Sequence, residues 1–146
     1  MNAISAAIQS SFEFSSVIWH EVDKNKCANY SLGEFLEEKI NFDDFGANVK
    51  SIRFLPIIVI PEIEKIYPNQ IIYHRSRNQL GLYWQMDYNR IMSSSVADCK
   101  TYLADFFIEV LEIAKVTKRI RDFDYDGFIA AVKAALPEWL AAETVH

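Results

Sequence analysis

The sequence contains little glycine, cysteine and histidine, and each shortage argues against a type of chemistry. The four glycines are isolated from one another, so none of the glycine-rich loops that cradle phosphate groups is present. The two cysteines and three histidines form no group with the ligand spacing of a zinc site. We therefore expect no metal, no cofactor and no catalytic site built on these residues.

Long apolar runs and a secretion signal are also missing. No stretch reaches the roughly 18 consecutive apolar residues of a membrane-spanning helix. The N-terminus, MNAISAAIQSSFEF, lacks the basic region and apolar run of a signal peptide. We therefore expect a cytoplasmic protein with no membrane association, in which Cys27 and Cys99 are reduced thiols.

The sequence does contain enough apolar material for a folded domain. Its 146 residues are 51% hydrophobic and 14% aromatic, which is enough to offset the entropy lost on ordering a chain of this length. No repeat, low-complexity tract or linker divides it, so residues 1–146 are predicted to be a single domain. The net charge of −5 disfavours nucleic acid, which is a polyanion, and favours a basic partner.

The first part of the chain is predicted to contain one short strand and two helices. Residues 3–8 suit a strand, and the apolar spacing over residues 12–25 favours a helix. A clearer helix is expected over residues 31–41, where Ser31 would be the cap and Glu34 its capping-box partner.

A buried strand and a hairpin follow. SIRFLPIIVIP, residues 51–61, is apolar and β-branched, so it predicts a strand that is an edge or is bulged at Pro56, where the N–H donor is missing. Residues 71–89 predict a hairpin that turns at SRNQ. After the turn, every second residue is apolar and should face the core: Leu80, Leu82, Trp84 and Met86.

Two helices complete the predicted fold. Ser95 and Asp98 form a capping-box pattern at the start of the first. The second begins near residue 125 and should end or kink at Pro137. Consecutive, hairpin-linked strands between helices predict an α+β fold, with an antiparallel sheet of three to four strands packed against helices on one face.

RDFDYDGFIAAVK, residues 121–133, begins like a calcium-binding EF-hand loop. Asp122, Asp124 and Asp126 precede Gly127, as that loop requires. The twelfth position is Lys133, however, where the loop needs a bidentate carboxylate. We therefore interpret these aspartates as helix caps, with Asp122 or Asp124 at the start of the last helix.

The hairpin offers an alternative function. His74, Arg75 and Arg77 lie together, and Asp87 or a serine would complete a catalytic group, although no nucleophile motif accompanies them. The same arginines and Arg90, with the aromatic residues Tyr73, Tyr83 and Trp84, resemble a single-strand RNA platform. A small RNA-binding or enzymatic domain centred on residues 71–90 is thus the alternative hypothesis.

A run of acidic residues surrounds the second predicted helix. An ordinary solvated face would explain these residues, which are Glu34, Glu37, Glu38, Asp43 and Asp44. They also fit a surface complementary to a basic protein. Charge alone leaves both readings open.

Several segments together resemble the immunity proteins of bacterial contact-dependent inhibition and polymorphic-toxin systems. They are SAAIQSS, the apolar strand SIRFLPIIVIP, the hairpin arm LGLYWQMDYNRI and the helix start RDFDYDGFIAAV. The resemblance spans roughly residues 3–135. This sequence departs from the family pattern in its loop lengths, and its N-terminal third matches that pattern least.

The resemblance implies a non-enzymatic inhibitor that binds the C-terminal toxin domain of a delivered protein, often a nuclease. Such a toxin would present a basic surface, toward which an acidic inhibitor is steered. The candidate partner-binding residues are the carboxylates Glu37, Glu38, Asp43 and Asp44 and the aromatic residues Tyr30 and Phe45. The protein is expected to be a monomer or a homodimer.

Overall fold

The computed structural model describes residues 12–14, 29–58 and 68–142, which form an α+β fold. The strands are β1 (Phe12–Phe14), β2 (Ser51–Ile58), β3 (Gln70–His74) and β4 (Gln79–Met86). The α-helices are α1 (Asn29–Lys39), α2 (Tyr88–Ser93), α3 (Val96–Thr117) and α4 (Tyr125–Ala141), with single 3-10 turns at Phe42–Phe45 and Arg75–Arg77. The predicted fold class is confirmed.

The sheet is mixed, with the strand order β1-β2-β4-β3. β3 and β4 are antiparallel, as predicted for the hairpin, but β4 runs parallel to β2, and so does β1. The expectation of an antiparallel sheet is therefore wrong for these two pairings. β4 is largely buried whereas β3 is half-exposed, so placing β4 beside β2 buries the more apolar arm and leaves β3 outside it.

Pro56 fits this sheet without a bulge. The β2–β4 ladder is continuous from Ser51 to Ile58, with Pro56 opposite Trp84. The β1 pairing ends at Phe54, two residues earlier. The residues after Phe14 lie outside the described ranges, so the edge alternative at Pro56 stays a prediction.

One face of the sheet packs on the helices and forms the core. Ile52 and Phe54 of β2 and Leu80 and Leu82 of β4 are fully buried. The Phe54 ring lies 4.9 Å from that of Phe107 on α3. The period of two predicted after the hairpin turn is confirmed, since Met86 is also buried and Trp84 is partly buried against this cluster.

Helix α3 begins as the sequence predicts. Ser95 is its N-cap, and the Ser95 hydroxyl accepts a hydrogen bond from the Asp98 N–H at 3.1 Å. The apolar positions at helical spacing then face the core, among them Leu103, Phe107 and Leu111. Cys99, near the start of α3, is a buried free thiol.

Helix α4 does not end at Pro137, one of the two outcomes predicted there, and a kink at this residue stays a prediction. The helix continues through this proline to Ala141. Two features hold the last turn in place, since Trp139 is buried and the Lys100 ammonium donates a hydrogen bond to the Trp139 carbonyl at 2.7 Å. Burial and this cap offset the hydrogen bond that a proline removes.

Two further expectations at the N-terminal side need correction. Helix α1 begins at Asn29, so Ser31 lies within its first turn and does not cap it; its hydroxyl instead accepts a hydrogen bond from Trp139 Nε1 at 3.3 Å. Phe12–Phe14, placed in a predicted helix, form β1. Here pairing with β2 overrides local helical spacing. The predicted strand over residues 3–8 lies outside the described residues.

Candidate partner-binding site

The end of α1 and the 3-10 turn that follows it border an open groove of about 540 Å³. Its walls carry both acidic and basic side chains around a small apolar floor. The lining residues are Glu37, Glu38, Lys39, Ile40, Asn41, Phe42, Asp43 and Lys50. The groove thus brings together three of the carboxylates that the sequence singled out.

The sequence FDDF explains why its two aspartates face solvent. In a 3-10 turn, residues three apart lie on one side, so Phe42 and Phe45 both reach inward and contact the Phe128 ring at 5.3 and 5.6 Å between centroids. Asp43 and Asp44 are left on the exposed side. Asn41 caps the turn, because its side-chain oxygen accepts from the Asp43 N–H at 3.1 Å.

The 3-10 turn is attached to the loop between α3 and α4. The Asp124 N–H donates to the Phe45 carbonyl at 2.8 Å, and Gly46 forms an isolated antiparallel bridge with Phe123. Gly46 has a φ of 127°, and a Cβ atom there would lie 1.8 Å from the Asp122 carbonyl oxygen. Only glycine fits this close approach.

Asn48 extends the same attachment to the sheet. Its side-chain amide donates to the Arg121 carbonyl at 2.6 Å, and its own carbonyl accepts from the Tyr73 hydroxyl at 2.5 Å. The segment that carries the two aspartates is therefore connected to both the helical layer and β3. A surface held in this way loses little conformational entropy when it binds a partner.

Two lysines moderate the negative charge of the groove. Lys50 forms an ion pair with Asp43, and Lys39 pairs with Glu138 of α4 at 2.8 Å. The two carboxylates are largely exposed and the two lysines about half-exposed. Each pair is therefore weak and can be exchanged for a partner's charge at small cost. Neither lysine is identifiable from the sequence as part of this site, since contacts with Asp43 and Glu138 depend on tertiary structure.

The six predicted partner-binding residues fall into three groups. Glu37, Glu38 and Asp43 line the groove, and Asp44 is exposed on the 3-10 turn beside it. Phe45 is half-buried, with its ring edge against Phe128. Tyr30 belongs to the first turn of α1, and its side chain lies outside the described residues.

The aspartates that resemble a calcium loop have structural partners. Asp124 is the N-cap of α4, and its carboxylate accepts from the Gly127 N–H at 3.0 Å. Asp126 forms an ion pair with Lys115 at 2.5 Å. The capping interpretation is thus confirmed for Asp124. Over the described ranges, no three His, Cys, Asp or Glu side chains are grouped as metal ligands.

The structure separates the residues of the alternative hairpin site. His74 pairs with Gln79 at one end of the hairpin, whereas Asp87 follows the other end of β4 and caps α2 by accepting from the Arg90 N–H at 3.3 Å. Eight residues of strand separate them by roughly 25 Å. The grouping of His74 with Asp87 is therefore wrong.

The aromatic residues of the proposed RNA platform are also divided. Tyr73 pairs with the core residue Leu80, and Trp84 is packed against the core. Tyr83 alternates to the opposite face, where its ring lies beside Gly81. The three rings do not share one stacking surface.

These features define an α+β domain with a charged surface groove. The chain belongs to the family described as Immunity protein 44, whose model matches residues 10–138. The resemblance to immunity proteins is thus confirmed. Membership indicates toxin neutralisation and a cognate toxin partner, and immunity proteins are generally non-enzymatic. No curated protein and no solved structure matches the chain.

The helices of the described residues do not meet the requirements of a membrane span. Within residues 29–58 and 68–142, none is both long enough and apolar enough to cross a bilayer.

Proposed function

We propose that this chain protects the cell that makes it by binding the C-terminal domain of a cognate toxin through the groove at the end of α1. The observation that carries this proposal is the convergence of Glu37, Glu38 and Asp43 on one groove in a member of an immunity protein family. Binding would be non-covalent and would occur in the cytoplasm.

A nuclease is the toxin class that best suits the charge of the chain. A domain that grips RNA or DNA presents a basic surface, and the net charge of −5 steers such a domain toward this protein. Steering mainly raises the association rate and makes it dependent on salt. The groove would then cover the toxin's active site or the surface that holds its substrate.

Affinity would come from a few partner side chains that lose their water in the groove. Arginine or lysine of the toxin would meet Glu37 and Glu38, while Lys39 and Lys50 would exchange their internal ion pairs for acidic groups on the toxin. Because those internal pairs are exposed, breaking them costs little. Asp44 and Phe45 would contact the toxin at the rim, and Tyr30 is proposed as a further aromatic contact.

A co-expression experiment tests the immunity function itself. The C-terminal domain of the toxin encoded next to this gene is induced in cells with and without this chain. We expect growth arrest that is relieved only when this chain is present, and co-purification of the two proteins. Arrest without relief, or the absence of a complex, would contradict the proposed function.

A further inference from the structure

Among the described strands, β3 lies at an edge of the sheet, and its sequence lacks two residue types that prevent an edge from pairing. In the part of the chain that the structure describes, this strand pairs with β4 alone. Its sequence, QIIYH, contains no proline and no lysine, two residues that block strand addition at an edge. Residues 71–74 are half-buried and Gln70 is exposed, so the strand is not covered completely.

The two faces of β3 are set by its register with β4. Ile71 and Tyr73 pair with Leu82 and Leu80, which are fully buried, and therefore belong to the core face. Gln70, Ile72 and His74 alternate to the other face. The free edge thus presents an apolar centre with a polar residue at each end.

This edge is complementary to itself when two copies run antiparallel about Ile72. Ile72 then faces the partner's Ile72, and Ile71 faces the partner's Tyr73. Gln70 faces the partner's His74, with which it can form a hydrogen bond. β-branched and aromatic cross-strand pairs of this kind are stabilising, and no two like charges lie opposite each other.

The arginines beside β3 also tolerate this arrangement. Arg75 and Arg77 directly follow the strand and are exposed. In the antiparallel pair, Arg75 and the partner's Arg75 are separated by about six residues of strand, or roughly 20 Å. That distance exceeds the Debye length of about 8 Å at physiological salt, so their repulsion is screened.

We propose that two copies of this chain associate through β3 to form one continuous sheet. Five residues of strand edge bury less surface than a permanent dimer requires, so the association is reversible and depends on protein concentration. Helix α1, whose end borders the groove, packs beside β1, at the opposite end of the strand order from β3. Lys50, which also lines the groove, donates its N–H to Asn78 at the β3–β4 turn. The inference rests on the register and composition of β3 and is independent of the proposed function.

Sedimentation equilibrium of the full chain tests this inference. From roughly 1 µM to 1 mM protein, a range that covers weak association, the average mass should rise from 16.9 kDa toward twice that value. Ile72→Lys places two lysines opposite each other at the centre of the pair, and should weaken association about tenfold or more. Gln85→Lys adds the same charge on β4, away from the edge, and should associate like the unchanged chain.

A cross-linking measurement keeps the test decisive if Ile72→Lys does not fold. Under mild oxidation, Ile72→Cys should give a disulfide-linked dimer, because the two thiols meet at the centre of the antiparallel pair. Gln85→Cys should give none. A constant mass of 16.9 kDa across the concentration range, equal association of Ile72→Lys and the unchanged chain, or equal cross-linking of both cysteine variants would each overturn the proposal.

Discussion

At the scale of single residues, Gly46 determines how the acidic 3-10 turn lies against the rest of the molecule. Its φ of 127° and its approach to the Asp122 carbonyl leave no space for a side chain. Gly46 itself also forms the antiparallel bridge to Phe123. One residue therefore fixes both the direction of the chain after Phe45 and the contact with the loop before α4.

Gly46→Ala should destabilise the protein strongly. The added Cβ would lie 1.8 Å from the Asp122 oxygen, so the bridge must open, at a cost of about 2–4 kcal/mol. Urea unfolding gives the free energy of unfolding for this variant and for Ala47→Gly, an exposed neighbour that should cost less than about 1 kcal/mol. Equal losses in the two variants would contradict the assigned role of Gly46.

Asp124→Ala should cost about 1 kcal/mol of unfolding free energy, because α4 loses its N-cap. Asp122→Ala should cost less, since Asp124 and not Asp122 accepts from the Gly127 N–H.

Thermal unfolding midpoints measured with calcium and with EDTA should agree for the unchanged chain. A midpoint that rises with calcium would support the metal-loop reading of these aspartates over the capping reading.

Burial of the Tyr125 phenol should make the folded protein less stable in alkaline solution. Burial raises the pKa of its phenol far above the usual value of 10, and its hydroxyl donates to the Lys118 carbonyl at 2.7 Å. In the unfolded chain the phenol ionises near pH 10, so the folded protein binds more protons above that pH. The stability that this tyrosine confers is complete below pH 10 and declines as the pH rises further.

Tyr125→Phe is the corresponding variant. At pH 8 it should be less stable than the unchanged chain by about 1 kcal/mol, the value of one hydrogen bond. From pH 10 upward that difference should narrow, because the variant has no phenol at this position to ionise on unfolding. Urea unfolding from pH 8 to 11 measures this, and a difference that stays constant over that range would contradict the assignment.

At the scale of secondary-structure elements, the last turn of α4 is the point where three helices meet. Trp139 donates to Ser31 of α1, and the Lys100 ammonium of α3 lies 4.3 Å from the centre of the Trp139 ring. The same ammonium binds the Trp139 carbonyl. This junction keeps the end of the helix in place beyond Pro137.

Lys100→Ala should therefore cost about 1–3 kcal/mol, because it removes the charged hydrogen bond to the Trp139 carbonyl and leaves only the longer one from the Ala142 N–H. Lys133→Ala removes an exposed lysine of α4 and should change stability by less than about 0.5 kcal/mol. Chemical denaturation of both variants measures the difference. Faster amide exchange at the end of α4 in Lys100→Ala alone would agree with the role of this cap.

Elements with strong local signals were predicted well from the sequence. The Ser95 cap, the alternation after the hairpin turn and the start of α4 all depend on residues close together in the chain, and the structure confirms them. The wrong predictions, in contrast, concern residues whose partners are distant in the sequence. Ser31 and Pro137 behave as they do because of Trp139 and Lys100, which are distant in sequence and were not identifiable as their partners.

At the scale of the whole molecule, the fold class was predictable from local sequence signals, but the strand topology was not. Composition and periodicity predicted the α+β class, which requires only the type and order of elements. They did not predict that β4 lies between β2 and β3, because strand neighbours depend on which strands bury each other. The groove shows the same limit, since its acidic residues were predicted but Lys39 and Lys50 were not.

Under the proposed function, the negative charge of the molecule attracts the toxin, and its position on the surface decides where the toxin docks. Exposed carboxylates also lie along α3, at Asp98, Asp105 and Glu112. If overall charge alone attracts the partner, charge substitutions on α3 and in the groove should weaken binding equally. If the partner docks in the groove, substitutions in the groove should weaken binding much more than those on α3. This difference in affinity provides the most direct test.

The decisive measurement is the dissociation constant of the complex with the toxin domain encoded next to this gene, at low salt. Glu37→Lys combined with Glu38→Lys should weaken binding about 100-fold or more, as expected when buried charge pairs become repulsive. Asp105→Lys combined with Glu112→Lys makes the same change in net charge on α3 and should weaken it less than about tenfold. Equal weakening by both pairs, or no effect of the groove pair, would contradict the groove as the toxin-binding site.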